Sequence, residues 1–119
     1  MYGFPTDLDL SPIVGEFTTQ IQVGQFDLQF TLGEFHFIAE TNLELWRGSD
    51  LVGAWKQSEW LPASFYDLMN SAVTSYEITR SGLSLSFENG LVAVIRDDSD
   101  RYESAQIVHR VEPPRVYVV

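Results

Sequence analysis

His36 and His109 are the side chains in this sequence that titrate near neutrality, so any acid–base chemistry starts with them. His36 stands between Glu34 and Glu40, on the side of an alternating stretch that reads as solvated. A general base needs a nucleophile or a substrate proton within hydrogen-bond reach, and no motif around His36 supplies one. His109, with Ser99 or Ser104 and a nearby aspartate, has the residue types of a catalytic triad. A triad is defined by geometry, however, and the strand-to-helix elbow G-x-S-x-G is missing. Asp97-Asp98-Ser99-Asp100-Arg101-Tyr102-Glu103 is rich in the oxygen ligands that calcium prefers. It lacks the ligand order and central glycine of a calcium loop, and Arg101 would repel a cation. The plainer reading is a solvated loop whose carboxylates cap backbone N–H groups. There is no cysteine, hence no disulfide and no thiolate zinc site. No glycine-rich phosphate loop or dinucleotide fingerprint occurs. The expectation is a protein that is not an enzyme and needs neither metal nor cofactor.

Binding has more support. The 119 residues carry 17 acidic and 7 basic side chains, a net charge of −10. That disfavours nucleic acid, whose phosphates call for Lys and Arg, and disfavours anionic membrane surfaces. A basic protein partner fits better, although acidity also serves solubility alone. The charge is uneven. Asp7, Asp9, Glu16, Asp27, Glu34, Glu40 and Glu44 all precede the first basic residue, Arg47, so the first 46 residues carry −7. The Asp97–Glu103 loop is a second acidic surface, with Tyr102 as a candidate aromatic anchor. Trp46, Trp55 and Trp60 read as core residues, with Trp60, beside Glu59 and just before Pro62, the one partly exposed.

The elements that would position these residues are mostly strands. A length of 119 residues suits one domain, and 45% apolar residues can build its core. Phe17, Thr19, Ile21 and Val23 alternate with polar residues and predict a first strand over 16–23. Phe26, Leu28, Phe30 and Leu32 predict a second, facing inward. Phe35, Phe37, Ala39, Thr41, Leu43 and Leu45 predict a long third. Side by side, these three would share one wet face bearing Glu16, Gln20, Gln22, Asp27, Gln29, Glu34, Glu40 and Glu44. A short strand over 51–55 follows. Pro62 and the helical spacing of Leu61, Phe65, Leu68, Met69 and Ala72 predict one helix near 62–72. Strands are expected at 76–80, 83–88 and 91–95, with Asn89-Gly90 as a hairpin turn, and at 105–111. The tail Val116-Tyr117-Val118-Val119 is apolar. Residues 21–41 and 78–98 match weakly at an offset of 57, through Ile21/Ile78, Leu28/Leu85, Phe30/Phe87, Gly33/Gly90 and Ile38/Ile95. The predicted fold is mainly β (α+β): two antiparallel meanders forming a curled sheet, a sandwich or a partly open barrel, with the helix covering one side or plugging an open end.

Phe87-Glu88-Asn89-Gly90 followed by Asp97-Asp98-Ser99-Asp100-Arg101-Tyr102-Glu103-Ser104, with Ile21 to Phe26 running into Phe30, resembles a family of small bacterial proteins carrying F-x-N-G … D-D-S-x-x-Y-E-S. Size and acidity also resemble immunity proteins of contact-dependent and other polymorphic toxin systems. The resemblance implies binding: carboxylates covering the active site of a basic toxin domain, such as a nuclease. The partner-contacting residues expected on the acidic and aromatic pattern are Glu34, Glu40, Glu44, Trp60, Asp97, Asp98, Asp100, Tyr102 and Glu103. The 97–103 motif equally suits a structural turn, with Tyr102 packed inward and Glu103 paired with an arginine. The alternative is an assembly domain without catalysis that forms a homodimer through a sheet edge or its apolar tail. Met1 to Pro12 lacks a signal-peptide pattern and no apolar run reaches about 20 residues, so a cytoplasmic location is expected.

Overall fold

Among the described residues, alternating apolar side chains become ten strands in two antiparallel sheets. The computed structural model describes residues 2–98, 103–111 and 113–119. The strands are β1 (Gln22–Val23), β2 (Leu28–Leu32), β3 (Phe35–Ala39), β4 (Asn42–Arg47), β5 (Asp50–Lys56), β6 (Val73–Thr79), β7 (Gly82–Phe87), β8 (Leu91–Arg96), β9 (Ala105–His109) and β10 (Arg115–Val118). One sheet runs β1-β2-β3-β9-β10 and the other β5-β4-β8-β7-β6. Their inner faces supply one cluster of buried residues, including Phe30, Phe35, Phe37, Leu43, Leu45, Trp55, Leu83, Leu85 and Ile107. Among the described residues, no helix is long and apolar enough to cross a membrane.

The topology repeats in a crossed fashion. The meander β1-β2-β3 lies beside the hairpin β9-β10, and the meander β6-β7-β8 lies beside the hairpin β4-β5. Each half of the chain thus gives its meander to one sheet and its hairpin to the other. Leu28/Leu85 and Phe30/Phe87 hold equivalent buried places in β2 and β7. The offset of 57 fails at the next turn. Leu32 pairs with Phe35 across two residues, whereas Ser86 pairs with Val92 across a longer loop. The parity of the third strand therefore flips. Ile38 lies on the outer face, while Ile95 is buried.

Three expected elements change. The strand predicted over 16–23 shrinks to Gln22–Val23, because its first part bonds elsewhere. Val73 N–H donates to Glu16 O at 2.9 Å and Asn70 N–H to Thr18 O at 2.8 Å. Phe17, Val23 and Phe26 are exposed as a result, since a two-residue edge strand covers little. The predicted third strand breaks at Glu40–Thr41, where the chain leaves one sheet for the other. The helix near 62–72 is a 3₁₀ segment, Ala63–Leu68. Met69 is already extended and Asn70 takes a left-handed φ of 65°, which asparagine tolerates better than most residues. Phe65 and Leu68 are both buried, and a three-residue spacing puts both on one side of a 3₁₀ turn.

His36 is buried, not solvated. It lies on the outer face of β3, but residues 17–22 fold over that face and share with it a polar cleft of about 230 Å³. Its Nδ1 meets Thr31 Oγ1 at 2.7 Å and its Nε2 meets Gln29 Oε1 at 2.8 Å. Burial holds the imidazole below its ordinary value of 6.5, and the Arg110 charge adds to this. Both nitrogens are engaged in structure, which leaves His36 a poor general base.

Candidate binding surface

Trp60 projects from the molecule: 95% of its surface meets solvent. A tryptophan of that exposure contributes nothing to the core, so its position comes from the loop that carries it. That loop, residues 57–62, is tied to the turn between β1 and β2. Ser58 N–H donates to Gln25 O at 2.7 Å, Gln57 Nε2 to Phe26 O at 3.2 Å, and Gln57 N–H to Thr41 O at 3.3 Å. Ser58 sits at φ 67°, a left-handed conformation that costs a non-glycine residue roughly 1 kcal/mol or more. The surrounding hydrogen bonds hold it there.

The two tied loops enclose a groove of about 530 Å³, lined by Val23, Gln25, Glu59, Trp60, Leu61 and Tyr66. A smaller apolar hollow of about 110 Å³ shares Val23, Leu61 and Tyr66 with it and reaches Ile21 and Met69. Phe26, on the same β1–β2 turn, is 61% exposed, and Tyr66 67%. Trp60 and Tyr66 make the groove an exposed aromatic corner, and Phe26 stands exposed on the turn that borders it. The 3₁₀ segment is its floor, and Gly53 on β5 lets that floor approach. A Cβ at Gly53 would collide with Ser64 Oγ and come within 3.1 Å of Phe65 Cε2.

Carboxylates adjoin this corner. Asp27 follows Phe26 in the turn and accepts from Gln29 Nε2 at 3.0 Å. A Cβ at Gly24 would press on Asp27 Oδ1 and displace that carboxylate. Glu40, half-buried at the end of β3, accepts from Gln106 Nε2 at 2.8 Å. Burial pushes its carboxyl above the ordinary 4.5; the Gln106 hydrogen bond opposes this, and the charges of Glu103 and Asp27 add to it. Asp27 and Glu103 thus bear on Glu40 as like charges, and Asp27 adjoins Phe26 in the β1–β2 turn. The ionised Glu40 costs stability, fully above its raised folded-state pKa and not at all below 4.5. Glu40→Gln should be more stable than wild type at pH 7 by on the order of 0.5 kcal/mol, given partial solvent screening. That advantage should shrink as the pH falls through the raised pKa and vanish below about 4.5. Urea melts at pH 7 and pH 4 check this; a variant equally destabilised at both would contradict it.

The remaining sequence candidates are scattered or committed. Glu34, exposed in the β2–β3 turn, pairs with His109 Nε2 at 3.0 Å, and the His109 ring stacks on Phe35 with centroids 4.1 Å apart. Glu44 lies on β4, in the other sheet, because the third strand breaks. It cannot share an acidic face with Glu34 and Glu40. It pairs with Arg96 Nε at 3.0 Å and accepts from Trp46 Nε1 at 3.1 Å. Asp97 accepts from Ser104 Oγ at 2.7 Å and from Gly3 N–H, and its own N–H donates to Ser81 O. Asp98 accepts from Asn42 Nδ2 at 2.7 Å. Asp97 and Asp98 are thus committed to hydrogen bonds with Ser104, Gly3 and Asn42. Ser99, Asp100 and Tyr102 fall outside the described residues. Ser104 donates to Asp97 whereas His109 meets Glu34, so Ser104 is not turned toward His109; Ser99 lies outside the described residues. Among the described residues, no three His, Asp or Glu side chains are placed to hold a metal ion.

The sequence pattern named Trp60, Glu40 and Glu103 and set Asp27 on one face with Glu40, but it did not name Phe26 or Tyr66 among the binding candidates. The loop that carries Trp60 docks on the β1–β2 turn through Ser58 and Gln57. No family model matches this chain, and no curated protein or solved structure matches it.

Proposed function

We propose that this protein is a binding domain for a basic protein partner, acting as an immunity protein that occludes the active site of a cationic toxin domain, such as a nuclease. The observation that carries the reading is Trp60, almost wholly exposed on a loop pinned by backbone hydrogen bonds, with Glu59 beside it in the lining of the same groove. Aromatic anchors dominate the energetics of protein interfaces. A lysine or arginine laid across an indole gains cation–π attraction, and neighbouring carboxylates add Coulombic attraction. The net charge of −10 would steer a cationic domain toward the surface and repel its nucleic-acid substrate.

The test is co-purification of tagged protein from its source cells, followed by co-expression with the captured domain. A basic domain bound one-to-one, whose toxicity disappears on co-expression, is the expected result. The double reversal Glu40→Lys with Glu103→Lys should slow association and weaken binding about tenfold or more. Protection and affinity unchanged by that reversal would overturn the electrostatic reading. Recovery of the protein alone or only with itself would overturn the immunity reading.

A further inference from the structure

A five-stranded open sheet has two edges, and each edge exposes backbone groups that invite another strand. Of the four edges here, three are blunted. β1 is two residues long. β5 pairs through a bulge at Leu45/Trp46 and ends in the charges Asp50 and Lys56. β6 pairs through a bulge at Val73/Ser75 and carries Glu77; just beyond it, Arg80 O accepts from Phe4 N–H at 2.8 Å. β10 has none of these devices. Its four residues pair with β9 in unbroken register, and its single charge is Arg115.

The hydrogen bonding of β10 is defined residue by residue. Val119 and Ala105 exchange bonds in both directions, at 2.8 and 3.4 Å. Antiparallel ladders alternate, so Tyr117 also exchanges with Ile107, while Val116 and Val118 turn their N–H and C=O away from β9. The side chains of Val116 and Val118 are 55% and 39% exposed. They share the outer face of the sheet with Val108 on β9 and Ile38 on β3, both half-buried.

We infer that β10 is a self-association edge, where a second copy of this chain adds its own β10 antiparallel and in two-fold register at Tyr117. In that register Val116 of one copy faces Val118 of the partner subunit. Those are the residues whose backbone groups point outward, so four N–H···O bonds close across the seam. The two valine pairs then extend the apolar surface of Val108, beside Val116 on β9, from one copy into the next.

Charge favours a second copy over the basic partner proposed above. A cationic domain gains nothing from a strand whose one charge is Arg115, whereas a like-charged copy meets no carboxylate on it. The Glu40 side chains of the two copies would lie about five strand spacings apart, roughly 24 Å. That is well beyond the screening length of about 8 Å at physiological salt. The inference does not depend on the immunity reading, since β10 contributes nothing to the aromatic corner.

Sedimentation of the full chain tests it. A four-residue seam buries little area, so association should be weak. The average mass should rise from 13.5 kDa toward that of a dimer between about 10 µM and about 1 mM. Val116→Pro removes an outward N–H that β9 does not use, and proline is tolerated on such an edge. Val118→Lys places a charge on the seam. Both variants should stay monomeric throughout that range with circular dichroism unchanged. In the wild type at high concentration, the Val116 and Val118 amides should exchange more slowly than in dilute solution, while Tyr117 is protected in both. A wild type monomeric at about 1 mM with fast Val116 and Val118 exchange overturns the inference. So does a dimer that survives both substitutions.

Discussion

Trp60→Ala should weaken binding of the captured basic domain by about 2–4 kcal/mol, a loss of roughly 30- to 1,000-fold in affinity. It should shift the free energy of unfolding by no more than about 0.5 kcal/mol. The two halves of this expectation share one cause. An indole 95% exposed has little to lose when the free protein unfolds and all of its surface to gain when a partner covers it. The loop beneath it is held by main-chain bonds from Ser58 N–H and by the Gln57 side chain, none of which passes through the indole. Truncation should therefore leave the loop in place. Isothermal titration with the captured domain and a urea melt of the free protein would check the pair. Affinity within about threefold of wild type would remove Trp60 from the interface. A stability loss above about 1 kcal/mol would show that the indole packs after all. Phe26→Ala and Tyr66→Ala should follow the same pattern at smaller size, because both rings are less exposed.

Much of this fold was legible because buried strands announce themselves by parity. Leu28, Phe30 and Leu32, then Phe35, Phe37 and Ala39, are buried at alternate positions as their pattern requires. Leu43 and Leu45 keep that parity too, which is why a break at Glu40–Thr41 left no trace in the alternation. A strand can change sheets and still point the same side chains at a shared core. That hidden crossover separated Glu44 from Glu34 and Glu40, although the sequence pattern placed all three on one face. The N-terminal stretch misled for a different reason. Phe17 and Val23 have strand-like spacing, but Glu16 and Thr18 are bonded by residues 70–73, a partner choice that periodicity cannot encode. His36 shows the same limit. Its parity is outward, yet the refolded N-terminal stretch covers it. The candidate site was legible only in its single residues. Trp60 stood out by type and by its neighbour Pro62, and Glu40 by charge. The docking of the Trp60 loop on the β1–β2 turn depends on Ser58 bonding to Gln25 across more than thirty positions, a contact of tertiary structure alone.

Phe65→Ala should be the counterpart that destabilises first and weakens binding second. Phe65 is fully buried, and its ring edge lies where Gly53 leaves room on β5. Removing a buried phenyl ring costs about 3–5 kcal/mol, the sum of lost burial and the cavity left behind. For a domain of this size that is a fall in melting temperature of roughly 10–20 °C. The loss should not be uniform. Ala63–Leu68 is six residues of 3₁₀ structure with Phe65 and Leu68 as its buried anchors, and a turn this short has little stability of its own. With one anchor gone, the segment should open locally below the global unfolding energy, and amide exchange at Phe65 and Met69 should speed up before that of β7 and β8. Because Tyr66 and Leu61 line the groove with Trp60, binding should weaken even at temperatures where the sheets stay folded. The order of events separates the two roles. If Phe65→Ala binds as tightly as wild type while the 3₁₀ segment exchanges freely, the groove does not need its floor, and the contact is carried by Trp60 and the carboxylates alone. If stability falls by less than about 1 kcal/mol, the buried position of the ring is wrong and the floor is held by something other than Phe65.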